Sequence, residues 1–265
     1  MSILGEDIYN FLNDFAPLSI AESQDNSGLQ VGNLKNSVTG ILLTVDVTLE
    51  AIKKAKNLKS NLIISHHPLI FSPLYQVSVT HPKGELVYEL IKNDITLLSW
   101  HTPLDKIKDG VSEAIVRELG YQGSDFVVSQ ELDGEKYGFG RVVYLEKSIK
   151  LQDLAKKLQS AINDWVMIVG EEDSLISSFA VCGGSGAFLI QKVKEKGIST
   201  LVTSDVKYHT AKDCELEGFN LVLMDHSVGE SLVLKYLKTK LEVFTDFDVP
   251  VTLHLEKSPF KLINK

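Results

Sequence analysis

The chain is poor in cysteine: of 265 residues only Cys182 and Cys214 are thiols, and neither belongs to a Cys-x-x-Cys pair. That excludes a disulfide-stapled secreted scaffold, fits a reducing compartment, and leaves each thiol as a small buried apolar side chain. Basic charge is also scarce, with 27 Lys and Arg against 35 Asp and Glu, a net charge of −8 and a pI near 5.4. Such a balance disfavours a nucleic-acid backbone as partner, which requires a basic face, while leaving room for a local basic patch. The first ten residues carry acids and no long apolar run, so neither a signal peptide nor a transmembrane span is expected, and the cytoplasm is the expected location. There is no His-Glu-x-x-His, no Pro-Cys-x-x-Cys and no Gly-x-Ser-x-Gly, which removes the common zinc-peptidase, zinc-deaminase and serine-hydrolase patterns.

What is present is an ordinary globular composition, 44% hydrophobic and 23% charged, in a chain long enough for one large or two ordinary domains. Ile8, Phe11, Leu12 and Phe15 recur at helical spacing before Pro17. Apolar runs at 41–45, 61–65 and 95–100 read as strands, with helices at 48–56, 84–93 and 110–119, the last closed by Gly120. The second half repeats the order, with strands at 178–182, 200–203 and 220–224 and helices at 188–196, around Ala211, and at 229–241. Strand–helix alternation implies an α/β fold with crossover connections. A shift of 139 residues lays 41–46 on 180–185 and 61–66 on 200–205, and a shift of 125 lays His101 on His226 and Asp105 on Glu230. We read two similar α/β domains produced by duplication, residues 1–128 and 129–265, because Gly-Ser-Asp and Asp-Gly-Glu mark loops between Gly120 and Tyr137. The short basic tail after Ser258 reads as a frayed end.

In α/β sheets, sites gather at the carboxyl ends of strands. Three such ends carry metal-type side chains: His66-His67, His101 followed by Asp105, and His226 followed by Glu230. Imidazole and carboxylate suit first-row divalent cations, and a bridging carboxylate offsets the repulsion between two of them. Two such cations can polarise a substrate and lower the pKa of water. A single His-x-x-x-acid on a helix is a poor signal; two of them together with a His-His pair, at three equivalent strand ends, are much harder to obtain by chance. His81 and His254 read as structural or surface residues. Asp205 reads either as a helix N-cap or as an acceptor behind a ligand, with the cap preferred. Gly183-Gly184-Ser185-Gly186, between a strand and a helix, offers backbone N–H groups to a phosphate or carboxylate, or is simply a tight turn.

At these residues the chain resembles the Nif-three-like family, whose members are often labelled GTP cyclohydrolase I type 2 homologs. The resemblance is carried by Asp25-Asn26-Ser27-Gly28-Leu29-Gln30-Val31-Gly32, Asp46-Val47-Thr48, Ser65-His66-His67-Pro68-Leu69-Ile70-Phe71, His101-Thr102-Pro103-Leu104-Asp105, Gly138-Phe139-Gly140-Arg141, Cys182-Gly183-Gly184-Ser185-Gly186, Asp205 with Tyr208-His209, and His226 with Glu230. It is the short form, without an inserted middle domain. The chain departs from the family pattern at Gln24, Ser204, Asp225 and Gly229, none of which is a ligand position. The resemblance implies two α/β domains facing a dinuclear centre with His66, His67, Asp105, His226 and Glu230 as ligands, two divalent cations per chain (Zn, Fe, Mn, Ni or Co), and a ring-like homohexamer. It further implies a metal-dependent hydrolase acting on a nucleotide-like small molecule, with His101 or His209 relaying protons and Gly183, Gly184, Ser185 and Gly186 helping to hold phosphate. The alternative is a non-enzymatic scaffold that binds metal or a partner. Combining repeat and resemblance, His66 and His226 are expected to share one cation and His67 and Asp105 the other. Glu230, in the first turn of a helix starting near Gly229, would touch both.

Overall fold

The computed structural model describes residues 2–261 and 263. Positions 262, 264 and 265 of the expected frayed tail lie outside the described residues. The elements in chain order are α1 (Gly5–Phe15), β1 (Gly28–Val31), β2 (Ile41–Thr44), α2 (Leu49–Asn57), β3 (Leu62–Ser65), α3 (Pro82–Lys92), β4 (Thr96–Ser99), α4 (Thr102–Lys106), α5 (Val111–Glu118), β5 (Asp125–Leu132) and β6 (Glu135–Lys150). They continue with α6 (Leu151–Ile162), β7 (Val166–Val169), β8 (Leu175–Val181), α7 (Ile190–Glu195), β9 (Thr200–Thr203), α8 (Tyr208–Leu216), β10 (Asn220–Met224), α9 (His226–Phe244) and β11 (Val251–Leu253). The chain divides into two compact units, 1–104 with 234–256, and 105–233 with 257–265.

The first unit holds a five-stranded sheet in the order β1-β4-β3-β2-β11. β2, β3, β4 and β11 run parallel, and β1 pairs antiparallel on the β4 edge. The parallel strands are short apolar runs buried on both faces, as crossover connections demand. Leu42, Ile63 and Leu97 pack with Ala51, Ile52 and Ala55 of α2 and Val87 and Leu90 of α3. Thr48 caps α2 by accepting the N–H of Ala51 at 3.1 Å. The end of α9 meets α1 through aromatic pairs, Phe11 with Phe244 at 4.6 Å and Phe15 with Tyr236 at 6.2 Å between centroids.

The second unit holds a six-stranded sheet in the order β5-β6-β8-β9-β10-β7. β8, β9 and β10 are parallel; β7 pairs antiparallel on β10, and β6 antiparallel on β8. β5 and β6 form a long hairpin whose two-residue turn, Asp133-Gly134, has positive φ at both positions. That is the geometry Asp-Gly favours between twisted strands. The boundary expected between residues 128 and 129 thus falls inside β5, because the Asp-Gly taken as a loop between domains is a hairpin turn. A buried ion pair anchors the hairpin to α5: Arg141 Nε donates to Glu113 Oε2 at 2.8 Å, both side chains being 3% exposed.

Strand register follows the shifts read from the sequence. Ile41 pairs with Leu62 in the first sheet, and Ala180 pairs with Leu201 in the second, each partner displaced by 139. Leu62 pairs with Thr96, and Leu201 with Leu221, the last strand displaced by 125. Among the described residues no helix is long and apolar enough to cross a membrane.

Candidate metal centre

The carboxyl ends of β3 and β4 build the first cluster. β3 is followed directly by His66 and His67, whose N–H groups donate to the carbonyls of Thr44 (3.0 Å) and Val45 (2.9 Å). β4 is followed by Trp100 and His101, with Trp100 N–H on the Ser65 carbonyl at 2.9 Å. The ladder therefore continues two residues past β3 and one past β4, and three imidazoles are delivered to one place. Ligand-capable atoms of His66, His67 and His101 all lie within 4.8 Å of one another, and their ring centroids are 5.1 to 5.5 Å apart.

Each ring is held by its Nδ1. His66 Nδ1 lies 3.0 Å from the Trp100 carbonyl, which can only accept, so that nitrogen carries the proton and Nε2 carries the lone pair. His67 Nδ1 lies 2.9 Å from Asp46 Oδ1. His101 Nδ1 lies 2.9 Å from Asp25 Oδ1, and Asp25 Oδ2 accepts from Thr102 Oγ1, Thr102 N–H and Ser27 Oγ. Burial acts to raise the Asp25 pKa, but the hydrogen bonds from His101, Thr102 and Ser27 outweigh it and hold the carboxyl well below the usual range. Donating Nδ1–H to an oxygen acceptor is how metal-binding histidines are oriented.

The second unit supplies another cluster at the ends of β8, β9 and β10. α9 begins at His226, not near Gly229 as the sequence suggested, because Asp225 acts as its cap: Oδ1 accepts the Val228 N–H at 3.1 Å and the Ser227 hydroxyl at 2.9 Å. Glu230 therefore lies one turn inside the helix on the face of His226, with His226 Nε2 3.0 Å from Glu230 Oε1. Asp205, after β9, bonds His226 Nδ1 and accepts from Ser185 Oγ at 3.1 Å. The cap preferred for Asp205 is corrected: Lys207 is the N-cap of α8, and Asp205 holds a histidine. Burial opposes the charged form of His226, yet the hydrogen bond and charge of Glu230, followed by those of Asp205, push its pKa up to about 9.

Gly184 adjoins this pair with φ +63, and a Cβ there would stand 2.5 Å from Glu230 Oε1. The glycine-rich turn thus leaves room for the carboxylate. Two of its N–H groups bond within the fold, Gly183 to Ser112 Oγ at 3.3 Å and Gly186 to Thr203 Oγ1 at 2.8 Å. Asp105 lies in α4, half-buried. Burial pushes the Cys182 thiol far up, and the carboxylates of Asp105 and Glu230 add to it. Cys182 and Cys214 are both buried and free, as expected.

The structure thus joins His66 and His67 with His101, and His226 with Glu230 and with Asp205, which takes the second of the two roles read for it from the sequence. His209 is exposed at the start of α8, its ring against Tyr208 at 5.3 Å. The orienting residues Asp25 and Asp46 are visible in the sequence only as members of the strings that carry the family resemblance, with no spacing rule linking them to a histidine.

The model of the Duf34/NIF3 (NGG1p interacting factor 3) family matches residues 3–259. A GTP cyclohydrolase 1 type 2 homolog of Clostridium acetobutylicum is 34% identical over 243 residues, covering 91% of this chain and 91% of that protein. A NIF3-like protein 1 of Drosophila melanogaster is 33% identical, covering 83% of this chain and 75% of its own length. Among solved structures, the Staphylococcus aureus hypothetical protein SA1388 superposes with a TM-score of 0.92 at 28% identity, covering 99% of this chain and 100% of that one. Reduced HcgD from Methanocaldococcus jannaschii superposes with a TM-score of 0.82 at 26% identity, over 97% and 99%. With a family match over residues 3–259 and a strand-end cluster of histidines and carboxylates in each unit, the chain belongs to the Duf34/NIF3 family.

Proposed function

We propose that the chain is a dinuclear metal-dependent hydrolase acting on a nucleotide-like small molecule. One observation carries this reading. Four strand-end histidines, His66, His67, His101 and His226, each have Nδ1 on an oxygen acceptor, the way metal-binding imidazoles are oriented. A donor set of imidazole nitrogens and carboxylates fits first-row divalent ions of the Zn, Fe, Mn, Ni or Co type. In this proposal His66, His67, Asp105, His226 and Glu230 are the ligands of two cations. Cations so bound supply Lewis-acid polarisation of a substrate oxygen.

The chain's own groups divide the remaining work. Asp46, Asp205 and the Trp100 carbonyl orient His67, His226 and His66 through Nδ1, and a cation would displace the proton that His226 Nε2 shares with Glu230. His101, backed by the ionised Asp25, is assigned to proton transfer: the carboxylate steadies an imidazolium while Nε2 takes up or releases a proton. His209, exposed and away from such a carboxylate partner among the described contacts, is the lesser candidate. Gly184 makes room for Glu230, and this is the role we give the glycine-rich turn ahead of phosphate holding.

The names of the relatives support a purine nucleotide as first substrate to test. Purified protein loaded in turn with each cation is incubated with GTP, beside Asp105→Ala. The expected result is ring-opened formamide or pterin product from the wild type alone. No turnover with any cation would leave the non-enzymatic scaffold as the better reading. Light scattering of the same preparation tests the homohexamer.

A further inference from the structure

We infer that Phe71 is a stacking wall for a planar heteroaromatic ring, which makes the ligand class at the histidine cluster a nucleobase or similar flat heterocycle. The inference rests on the small-molecule site proposed above and names the part of the molecule that site would recognise.

Phe71 follows Ser65-His66-His67-Pro68-Leu69-Ile70, so it leaves the same strand end as two of the imidazoles. Leu69 is buried, yet the Phe71 side chain is 46% exposed. A lone exposed apolar residue is ordinary and proves nothing. What distinguishes Phe71 is the backbone beneath it. The Ile70 N–H donates to Gln30 Oε1 at 3.1 Å, and the Ile70 carbonyl accepts from Asn26 Nδ2 at 2.5 Å. Gln30 Nε2 in turn donates to the Asn26 carbonyl at 2.6 Å, closing a triangle. Both polar groups of the residue before Phe71 are thereby fixed by amide side chains.

Those amides come from the loop before β1 and from β1 itself, the stretch that also holds His101. Asp25 binds the His101 ring and Ser27 accepts its backbone N–H at 3.0 Å, while Asn26 and Gln30 clamp Ile70. One stretch of chain sets the imidazole and the phenyl together. The phenyl stands 6.4 Å from the His101 ring at an interplanar angle of 79°. A clamped, half-exposed aromatic face beside a cluster of imidazoles is suited to a flat π-system, since stacking needs a rigid ring and tolerates any base.

The test measures binding, not turnover. Titration calorimetry with GTP, guanosine and ribose 5-phosphate is run on metal-loaded wild type, Phe71→Ala and Phe71→Trp, with metal content determined for each. GTP and guanosine should bind about tenfold more weakly to Phe71→Ala, the low end of base stacking. Phe71→Trp should bind near wild type, and ribose 5-phosphate should not distinguish the three at equal metal content. Undiminished guanosine and GTP binding in Phe71→Ala would overturn the wall, as would an equal loss for ribose 5-phosphate, or wild type that binds neither base-bearing probe. Phe71-dependent guanosine binding without metal-dependent turnover would strike the hydrolase reading alone and leave the wall standing.

Discussion

His101 Nδ1 rests 2.9 Å from Asp25 Oδ1, a carboxylate 76 residues earlier in the chain that is itself 1% exposed. A buried carboxylate with this many donors has one geometry, and it transmits that geometry to the imidazole. Asp25→Asn keeps the shape but loses the charge and one acceptor oxygen. Loss of such an orienting partner costs about 10–100-fold in metal affinity where the histidine it holds is a ligand. Under the proton-transfer assignment, Asp25→Asn should leave cation affinity within about threefold of wild type and lower kcat with little change in KM. Competition with a chromogenic chelator and steady-state kinetics on one preparation separate the two roles. A large loss of cation affinity would move His101 into the ligand set.

Gly184 has φ +63, and its missing Cβ would meet Glu230 Oε1 at 2.5 Å. Gly184→Ala should therefore cost about 1–3 kcal/mol in backbone strain alone, and also displace the carboxylate from His226. Thermal unfolding should show the loss of stability, and elemental analysis a loss of bound cation. Gly197, with φ +73 and open space where its Cβ would go, is the control. Gly197→Ala should lose stability of the same order and keep its metal. Equal metal retention by both variants would show that Glu230 does not need the room.

The two parallel three-strand runs were legible because they are uninterrupted apolar stretches flanked by turn residues, and the strand-end histidines followed from them. The carboxylates behind those histidines were not legible. Asp46 lies 21 residues before His67, Asp205 lies 21 before His226, and Asp25 lies 76 before His101. Each comes from the end of a neighbouring strand or loop, and only the sheet order brings it close. The β5–β6 hairpin was missed for another reason. Outside its buried start β5 is a run of exposed and half-exposed residues without clean alternation, so the period-2 signal is faint. Asp133-Gly134 was then the clearest sign, and it serves a domain linker and a hairpin equally well. The start of α9 was set too late because an aspartate directly before a histidine carries no apolar periodicity.

Asp225 is buried, caps α9 with Oδ1 and accepts from Ser258 Oγ with Oδ2 at 2.5 Å. Asp225→Gly, which restores the residue that the family resemblance leads one to expect, removes both. The cap is worth about 0.5–2 kcal/mol, though Gly forfeits less of it than Ala, and the hydroxyl bond to a charged acceptor about 1.5–3 kcal/mol. Ser258→Ala removes only the second. Urea denaturation should rank the stabilities wild type, Ser258→Ala, Asp225→Gly. Asp225→Gly more stable than Ser258→Ala would mean that burying the carboxylate costs more than its hydrogen bonds return.

His254, at the end of β11, is buried, and both desolvation and the nearby Lys54 charge lower its pKa below the ordinary value. The folded chain therefore resists protonation of a side chain that the unfolded chain protonates freely. Above about pH 6.5, the unperturbed value, both states are neutral and His254 contributes no pH dependence. As pH falls through 6.5 toward the lower folded value, the unfolded state binds more protons and stability is lost. Glu256, whose Oε1 lies 3.8 Å from His254 Nε2, shifts in the opposite sense: burial raises its pKa, so the folded state takes up a proton first as pH falls, and stability is gained. That gain begins above the ordinary glutamate value. His254→Gln removes only the first effect. Its stability should fall less than that of the wild type between pH 7 and pH 5.5, measured by urea denaturation at constant ionic strength on metal-free protein. Parallel pH profiles for the two proteins would show that His254 is protonated as easily in the folded chain as in the unfolded one.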